Sequence, residues 1–402
     1  MRRTFLSGIV AGLLGLVLTS QSLAQTAEER NKKAMELLSQ GKINEAIAEY
    51  VNLIREDSTY VTAYINLGFI YYSSGLVGDA IDLYLQALLI EPDNPLAHNN
   101  LGAAYAAVGN VNAAAVAYKL ALHFKPDYPE AHSNLSFAYY SKGLYDAAIR
   151  EAQAALKLKP DYAMAHNYLG IAYHAKGRVD EAIASLKKAI ELSPDLSVAH
   201  NNLGVAYRSK GMLAESIAAH KKAVALDSTN VDALNGLGLA YLADRQTDQA
   251  IEAFKRVLKL EPKNAVAHNN ISFAYYEKLD YAMAMQHATA AEKNGLKMNE
   301  KYMKDLRKAL DDKYLRARHI LLASQAEAEQ VLAEVQNGAS FDELAAKKSI
   351  DTNTAKKGGD LGFFQKGDLQ PEIENAILAL HKGEISGIVK TEAGYHIFQR
   401  LK

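Results

Sequence analysis

The chain has 402 residues, and its 45 lysines and arginines nearly balance its 46 aspartates and glutamates. This balance excludes the strongly basic surface expected of a nucleic-acid-binding protein. The chain contains no cysteine, which excludes disulfides, thiolate metal sites, thiol catalysis and a lipoprotein anchor.

The first element in the chain is a predicted signal peptide over residues 1–24. Arg2 and Arg3 precede an apolar run over 5–19, and Ser22 and Ala24 supply the small residues that a signal peptidase reads. No other stretch has the length and apolarity of a membrane span. We therefore expect an exported protein, periplasmic or secreted, whose mature form has no stable membrane span.

A period of 34 residues runs through the next part of the chain. Each unit carries Leu-Gly or a close variant, with a tyrosine three residues after the glycine position. The seven dipeptides begin at Leu67, Leu101, Leu135, Leu169, Leu203, Leu237 and Ile271. The pattern predicts two antiparallel helices per unit, with small residues where the helices cross closely. Glycines are expected to end the first helix at Gly75, Gly109, Gly143, Gly177 and Gly211.

These units resemble the tetratricopeptide repeat, and a more divergent unit precedes the first Leu-Gly. The resemblance predicts eight repeats over 27–298 that form an α-solenoid superhelix. Residues 299–314 are predicted to form a capping or linker helix, with Tyr302, Leu306 and Leu310 as its apolar stripe.

Histidine occupies one repeat position five times, which raises the question of a metal site. The five are His98, His132, His166, His200 and His268. Each stands alone in its repeat, and equivalent positions of stacked repeats are too far apart to share one ion. We interpret them as packing residues and predict no metal and no cofactor.

Asparagine recurs at a neighbouring repeat position. The set comprises Asn66, Asn100, Asn134, Asn202 and Asn270. The units resemble the superhelix of O-linked N-acetylglucosamine transferase, whose asparagine ladder holds an extended peptide. The resemblance implies a peptide groove here, with an apolar floor at Phe137, Tyr140, Ile171, Phe273 and Tyr276. A purely structural role of the asparagines remains the alternative, since asparagine is partly ordinary repeat consensus. Only Arg208 offers a cation for the groove, which argues against a carboxylate-tail clamp.

The pattern changes at Ala317. ARHILL reads as a strand, 326–336 and SFDELAAKKS as helices, PEIENAILAL as another helix, and GEISGIVKT and GYHIFQRL as strands. GGDLGFF, over 358–364, lacks the lysine and serine of a phosphate-binding loop and reads as a tight turn into a strand. The predicted order is β-α-α-β-α-β-β, a small α+β domain.

This ordered set of motifs resembles the parvulin-type peptidyl-prolyl isomerases over residues 315–402. The resemblance implies a catalytic set of His319, Asp351, Thr391 and His396, with Thr352 as the alternative to Asp351. It implies a pocket for the substrate proline formed by Leu369, Gln370 and Ile373, with Phe363 or Phe364 nearby. Members of the family usually carry phenylalanine in place of Ile373, so a shallower pocket is expected. The loop after the first strand has no basic cluster, which argues against selectivity for phosphoserine-proline.

The expected function is therefore an exported foldase that accelerates X-Pro isomerisation. Its expected partners are proline-containing unfolded or extended clients, held by the repeat groove through protein–protein contacts. Rotation about the prolyl bond makes and breaks no covalent bond, so no cofactor is required. The alternative is a non-catalytic scaffold or chaperone with a degenerate isomerase domain.

Overall fold

The computed structural model describes residues 27–402, with residues 311–313 described by their backbone alone. The predicted signal peptide lies outside the described residues. The chain divides into two compact units between Gly236 and Leu237. The second unit therefore contains the last repeats together with the carboxy-terminal domain.

Seventeen helices precede the first strand in the described residues, and the first of them, α1, covers 27–39. The next eight are α2 (Ile43–Glu56), α3 (Val61–Ser73), α4 (Val77–Ile90), α5 (Pro95–Ala107), α6 (Val111–Phe124), α7 (Pro129–Ser141), α8 (Tyr145–Leu158) and α9 (Ala163–Ala175). They are followed by α10 (Val179–Leu192), α11 (Ser197–Ser209), α12 (Leu213–Leu226), α13 (Val231–Ala243), α14 (Thr247–Leu260), α15 (Ala265–Glu277), α16 (Tyr281–Lys293) and α17 (Glu300–Lys313).

The Leu-Gly position explains why two helices of one repeat approach so closely. A Cβ at Gly68 would lie 2.7 Å from the ring of Tyr84, and one at Gly102 would lie 2.6 Å from Tyr118. Where serine replaces this glycine, its hydroxyl bonds the partner helix: Ser136 Oγ donates to the Ala148 carbonyl at 2.8 Å. The small residue thus sets the spacing of the pair, as the sequence predicts.

The turn between paired helices uses a left-handed residue. The five glycines predicted to end first helices have φ between 72° and 80°, a region that L-residues rarely adopt. In the last two repeats Arg245 and Leu279 occupy this region instead, at φ of 59° and 61°. The turn geometry therefore persists where the glycine signal is lost.

The carboxy-terminal domain contains four strands and four helices. In chain order they are β1 (Leu315–Leu322), α18 (Gln325–Gln336), α19 (Phe341–Lys348), α20 (Thr352–Ala355), β2 (Asp360–Phe364), α21 (Pro371–Leu378), β3 (Val389–Thr391) and β4 (Gly394–Arg400). The sheet has the order β2-β1-β4-β3, and all its neighbours are antiparallel.

The sheet is covered on both faces. Ile320, Leu322 and Ile397 pack with residues of α18 and α19 on one face. Ala317 and Phe398 pack with Ile377 of α21 on the other. Because side chains alternate along a strand, His319 and His396 point to the α21 face. The hydrophobic alternation therefore decides on which side the histidines lie.

Two elements differ from the sequence prediction. The one-turn helix α20 was not predicted. It forms where Asp351 caps it by accepting the Asn353 amide at 3.0 Å. The predicted strand GEISGIVKT is regular only over Val389–Thr391. Near its start, Ser386 Oγ accepts the Phe398 amide at 2.8 Å, so a side chain replaces a strand carbonyl and interrupts the ladder.

Candidate active site

The two histidines of the carboxy-terminal domain face each other on the sheet. His319 lies opposite Phe398 in the register of β1 and β4, and His396 lies opposite Leu321. The two Nδ1 atoms are 3.1 Å apart. His319 is 5% exposed and His396 is 3% exposed, so the pair is shielded from water.

Each outer nitrogen of this pair has a further partner. His319 Nε2 lies 2.8 Å from Asp351 Oδ2 and 3.0 Å from Thr354 Oγ1. His396 Nε2 lies 2.8 Å from Thr391 Oγ1. Thr354 donates its hydroxyl to Asp351 Oδ2 at 2.6 Å. We call Asp351, His319, His396 and Thr391, together with Thr354, the histidine network.

One assignment of protons satisfies every contact of the histidine network. The Thr391 hydroxyl donates to His396 Nε2, His396 Nδ1–H donates to His319 Nδ1, and His319 Nε2–H donates to the Asp351 carboxylate. Both rings are then neutral. Burial, with a contribution from the neighbouring His319, lowers the pKa of His396 to about 4. His396 is therefore neutral near pH 7.

Asp351 remains ionised beside this pair. Burial raises the pKa of its carboxyl group, but hydrogen bonds from Thr354, His319 and the Asn353 amide outweigh that effect and leave the pKa below its ordinary value. A neutral, ordered imidazole pair with a fixed carboxylate at one end suits oriented hydrogen bonding better than proton transfer near pH 7.

The backbone around β1 fixes these side chains. Ser349 Oγ accepts the Leu321 amide at 3.1 Å and the Asp351 amide at 3.3 Å, which holds Asp351 alongside the strand. The Gly359 carbonyl accepts the His319 amide at 2.9 Å. A Cβ at Gly359 would lie 2.1 Å from the His319 carbonyl oxygen, and its φ is 81°. The glycine turn of GGDLGFF is thus needed for close approach to the histidine strand.

Phe398 is a site residue that the sequence analysis missed. Its ring stacks on His396 at 5.3 Å and on His319 at 6.0 Å, and it is fully buried. Thr354 was missed as well. The alternation of β4 could have identified Phe398, because it lies two residues from His396 and hence on the same face. No comparable signal marks Thr354, whose place depends on the unpredicted α20.

The residues of the predicted proline pocket fall into two groups. Gln370 and Thr391 line one recess of about 550 Å³, together with Glu372, Lys390 and Glu392. Leu369 and Ile373 pack, half-buried, against the cluster that contains Phe398. The structure therefore brings the α21 residues to the side of the sheet that carries the histidine network.

The two aromatics of GGDLGFF point in different directions. Phe364 is buried in the core with Ile377 and Phe398. Phe363 instead packs against the cluster built from α16 and α17, with its ring 6.3 Å from that of Tyr314. The described contacts of Phe363 therefore connect the domain with the last repeat and the capping helix. Thr352, the alternative to Asp351, is exposed and forms no described hydrogen bond, whereas Asp351 bonds His319.

The repeat histidines have a different environment. Each directs Nε2 to the carbonyl oxygen of the proline six residues earlier, at 2.8–3.3 Å. This bond ties the first helix of the repeat to the turn before it. Within residues 27–402, no group of three or more histidine, aspartate and glutamate side chains is arranged to hold a metal ion.

The predicted groove asparagines bond one another. Asn66 Nδ2 donates to Asn31 Oδ1 at 3.0 Å, and the same bond joins Asn134 to Asn99 and Asn202 to Asn167. Asn100 and Asn270 each accept from the preceding asparagine at 3.3 and 3.4 Å. Part of their hydrogen-bonding capacity thus links successive repeats.

Comparison with known proteins matches two kinds of family model to different parts of the chain. Residues 319–402 match the family model described as the PPIC-type PPIASE domain. Tetratricopeptide repeat models match 35–143 in three overlapping segments and further match 137–197, 206–244 and 231–264. The chain therefore carries a PPIC-type, parvulin-like peptidyl-prolyl isomerase domain behind a tetratricopeptide repeat array.

Several curated relatives bear the name foldase. Foldase protein PrsA 2 of Bacillus cereus is 41% identical over 108 residues, which cover 26% of this chain and 38% of the relative. Foldase protein PrsA of Caldanaerobacter subterraneus is 48% identical over 85 residues, covering 21% of this chain and 28% of the relative. This chain thus spans well under half the length of these relatives.

Solved structures support the fold of the array. A tetratricopeptide repeat protein of Parabacteroides merdae is 19% identical with a TM-score of 0.51, covering 62% of this chain and 99% of that one. A chain of an APC/C hetero-tetramer is 20% identical with a TM-score of 0.57, covering 69% of this chain and 55% of that one. In the described residues, no helix has both the length and the apolarity to cross a membrane.

Proposed function

We propose that this protein is an exported foldase that catalyses cis–trans isomerisation of X-Pro bonds in clients held by its repeat array. The observation that carries the proposal is the histidine network, which lies beside a recess lined by Thr391 and Gln370. The match of the same residues to the PPIC-type domain supports it.

The chemistry proposed for the site is conformational. Rotation about the prolyl bond loses amide resonance, which sets a barrier of about 18–20 kcal/mol. The twisted amide is less polar than the planar one, so an apolar wall that excludes water favours it. In this proposal Leu369 and Ile373, which are half-buried against the Phe398 cluster, form such a wall next to the polar lining of the recess.

The histidine network supplies the polar side of this proposal. Its protons are ordered in one direction, from Thr391 through both rings to Asp351, so the Thr391 oxygen keeps a fixed orientation at the edge of the recess. A fixed dipole needs no reorganisation when the bond twists, which is how preorganised groups lower a barrier. Neither histidine exchanges a proton with the substrate in this scheme.

The test measures isomerisation of a short X-Pro peptide by exchange spectroscopy. Wild type should accelerate exchange, and Asp351→Asn should reduce the acceleration severalfold because His319 loses its anionic acceptor. If wild type does not accelerate the exchange, the proposed isomerase activity is refuted.

The alternative of a binding-only domain rests on Ile373. An aliphatic side chain at this position leaves the wall shallower than phenylalanine would. Ile373→Phe should therefore raise turnover if the pocket limits an active site. If wild type is inactive, and Ile373→Phe binds the peptide more tightly without gaining turnover, the binding-only scaffold is favoured.

Export and the groove each have a separate test. Cleavage after Ala24 predicts a mature protein that begins at Gln25. Amino-terminal sequencing of the protein produced in cells tests this cleavage.

Tethering of clients by the array would raise the local concentration of prolines at the isomerase domain. Refolding of a long proline-limited client should therefore respond to changes in the array that leave short-peptide turnover intact.

A further inference from the structure

One repeat lacks the aromatic side chains that its two neighbours carry. Ala103, Ala106 and Ala107 stand where the preceding repeat has Phe69, Tyr72 and Ser73. The following repeat has Phe137, Tyr140 and Ser141 at the same positions. A cavity of about 370 Å³ occupies the space, with the three alanines in its lining. We call it the alanine pocket.

Aromatic rings surround the alanine pocket. Tyr72, Tyr118, Phe137 and Tyr168 line it, and the rings of Phe137 and Tyr168 stack at 4.9 Å. The remaining polar lining comes from Asn134 and Ser141. Among the described residues that line it, none carries a formal charge. A charged ligand would therefore lose its hydration without a compensating partner.

The tyrosine hydroxyls of the pocket remain accessible to solvent and are not buried without a partner. In the described part of the chain, the hydroxyls of Tyr72, Tyr118 and Tyr168 form no hydrogen bond, although Tyr118 is only 3% exposed. Burial, with a smaller effect of the nearby Tyr72, raises the pKa of Tyr168 to about 12 and also raises the pKa of Tyr118. The hydroxyls of Tyr118 and Tyr168 are thus protonated donors, and both residues line the pocket.

We infer that the alanine pocket is a docking subsite for a proline-rich segment of an extended client. Aromatic faces pack well against the flat pyrrolidine ring, as in other grooves that bind polyproline II segments. Proline has no amide hydrogen, so its carbonyl is the only polar backbone group that must be matched. Tyrosine hydroxyls in the lining can donate to such carbonyls, and a purely apolar ligand would leave them unpaired.

This inference rests on the proposed function, since it names the client segment that the array would hold for the isomerase domain. It also gives a reason why one repeat alone has alanine at all three positions, although Ala175 and Ala243 share the third of them. Each flanking repeat tolerates phenylalanine at the position of Ala103, so the gap is a local feature of the sequence rather than a requirement of the fold.

The experiment titrates the full chain with two labelled peptides, three Ala-Pro-Pro triplets and three Ala-Gly-Ser triplets. Wild type should bind the proline peptide at least about fivefold more tightly. Ala103→Phe fills the pocket with a side chain that both neighbouring repeats carry, and should weaken this binding at least about tenfold. Tyr118→Phe removes one hydroxyl and should weaken it about two- to tenfold.

Tyr84→Phe is the matched control. Tyr84 occupies the same repeat position as Tyr118 and is 1% exposed, but it does not line the pocket. Its substitution should leave proline-peptide binding unchanged. The isomerase domain is the same in all variants and contributes a constant background.

Short-peptide isomerisation is measured in parallel and should be equal in every variant. Absence of isomerisation in wild type would refute the proposed function, while the titrations would still decide the pocket. Equal affinity of Ala103→Phe and wild type would overturn the inference, and so would equal binding of the two peptides. Thermal melting of each variant identifies one that fails to fold. If Ala103→Phe fails to fold, the binding of the proline peptide to Tyr118→Phe decides whether the pocket is the docking subsite.

Discussion

Histidine occurs in both regions of this molecule and has a different role in each. In the repeats, five histidines at equivalent positions each bond the carbonyl of a proline in the turn before their helix. In the carboxy-terminal domain, His319 and His396 bond each other across two strands that are distant in sequence. The periodic set stabilises local turns. His268 of that set also pairs with His287 through Nδ1 atoms 3.0 Å apart, but only the His319–His396 pair is extended, within the described residues, to an aspartate and to threonine hydroxyls. The repeating proline contact is thus assigned to local structure, and the pair linked to Asp351 and Thr391 to the candidate site.

The largest expected effect comes from His396→Ala. It leaves His319 Nδ1 and the Thr391 hydroxyl without their shared partner in a buried place, and it removes a ring stacked on Phe398. We expect about 2–4 kcal/mol less stability and at least about tenfold lower turnover of an X-Pro peptide. Urea unfolding and exchange spectroscopy measure the two effects.

His166→Ala is the control for that change, because the His166 ring bonds, among residues 27–402 as described, only the Pro160 carbonyl, at 2.9 Å. We expect about 1 kcal/mol loss of stability and unchanged turnover. Equal loss of turnover in both variants would contradict the division between structural and site histidines.

Acid provides the second test of the comparison. His396 has a pKa of about 4 in the folded chain, below the ordinary value of 6.5. Between these two values the unfolded chain binds the additional proton, so stability falls as the pH falls from 6.5 towards 4. The contribution is roughly 3 kcal/mol, and turnover should fall in the same direction as the network protonates near pH 4.

His396→Gln isolates this contribution from other groups. His220 in the array also has a pKa lowered to about 4, through burial and the nearby Arg208, and it adds its own acid sensitivity. The wild-type chain should lose more stability than the variant over the same pH interval. If the plots of stability against pH run parallel for wild type and His396→Gln, His396 does not titrate as described.

The asparagine bonds between repeats give the third test. Asn134→Ala and Asn202→Ala together remove two such bonds, whose lengths are 3.0 and 2.9 Å. We expect about 1 kcal/mol loss of stability per bond, and slower refolding of a long client at unchanged short-peptide turnover. Asn375→Ala, at an exposed position of α21, is the control. Unchanged client refolding would assign the asparagines a structural role only.

The smallest expected effect comes from Thr391→Val. It removes the hydroxyl that bonds His396 Nε2 at 2.8 Å but keeps the shape of the side chain. About threefold to tenfold lower turnover is expected, with about 1 kcal/mol less stability. Thr352→Val changes an exposed threonine near the same site and should be neutral. Loss of turnover in Thr352→Val alone would favour the alternative alignment of the loop.

The sequence by itself determined the helical repeats and the class of the carboxy-terminal domain. The period, the Leu-Gly positions and the glycine turns are local, because each unit repeats the same short-range packing. The four residues His319, Asp351, Thr391 and His396 were predicted as the catalytic set from the resemblance of their motifs. The structure links their side chains by hydrogen bonds, and their catalytic roles remain predictions. The boundaries of 27–298, 299–314 and 315–402 remain predictions.

Only the tertiary structure decided how these residues meet. Strand register placed Phe398 against both histidines, and α20 brought Thr354 to Asp351. The tertiary structure also separated Phe363 from Phe364, because successive side chains of a strand point to opposite faces. It also showed that three alanines leave a cavity ringed by tyrosines from neighbouring helices. Such contacts join residues far apart in the chain, and neither period nor propensity specifies them.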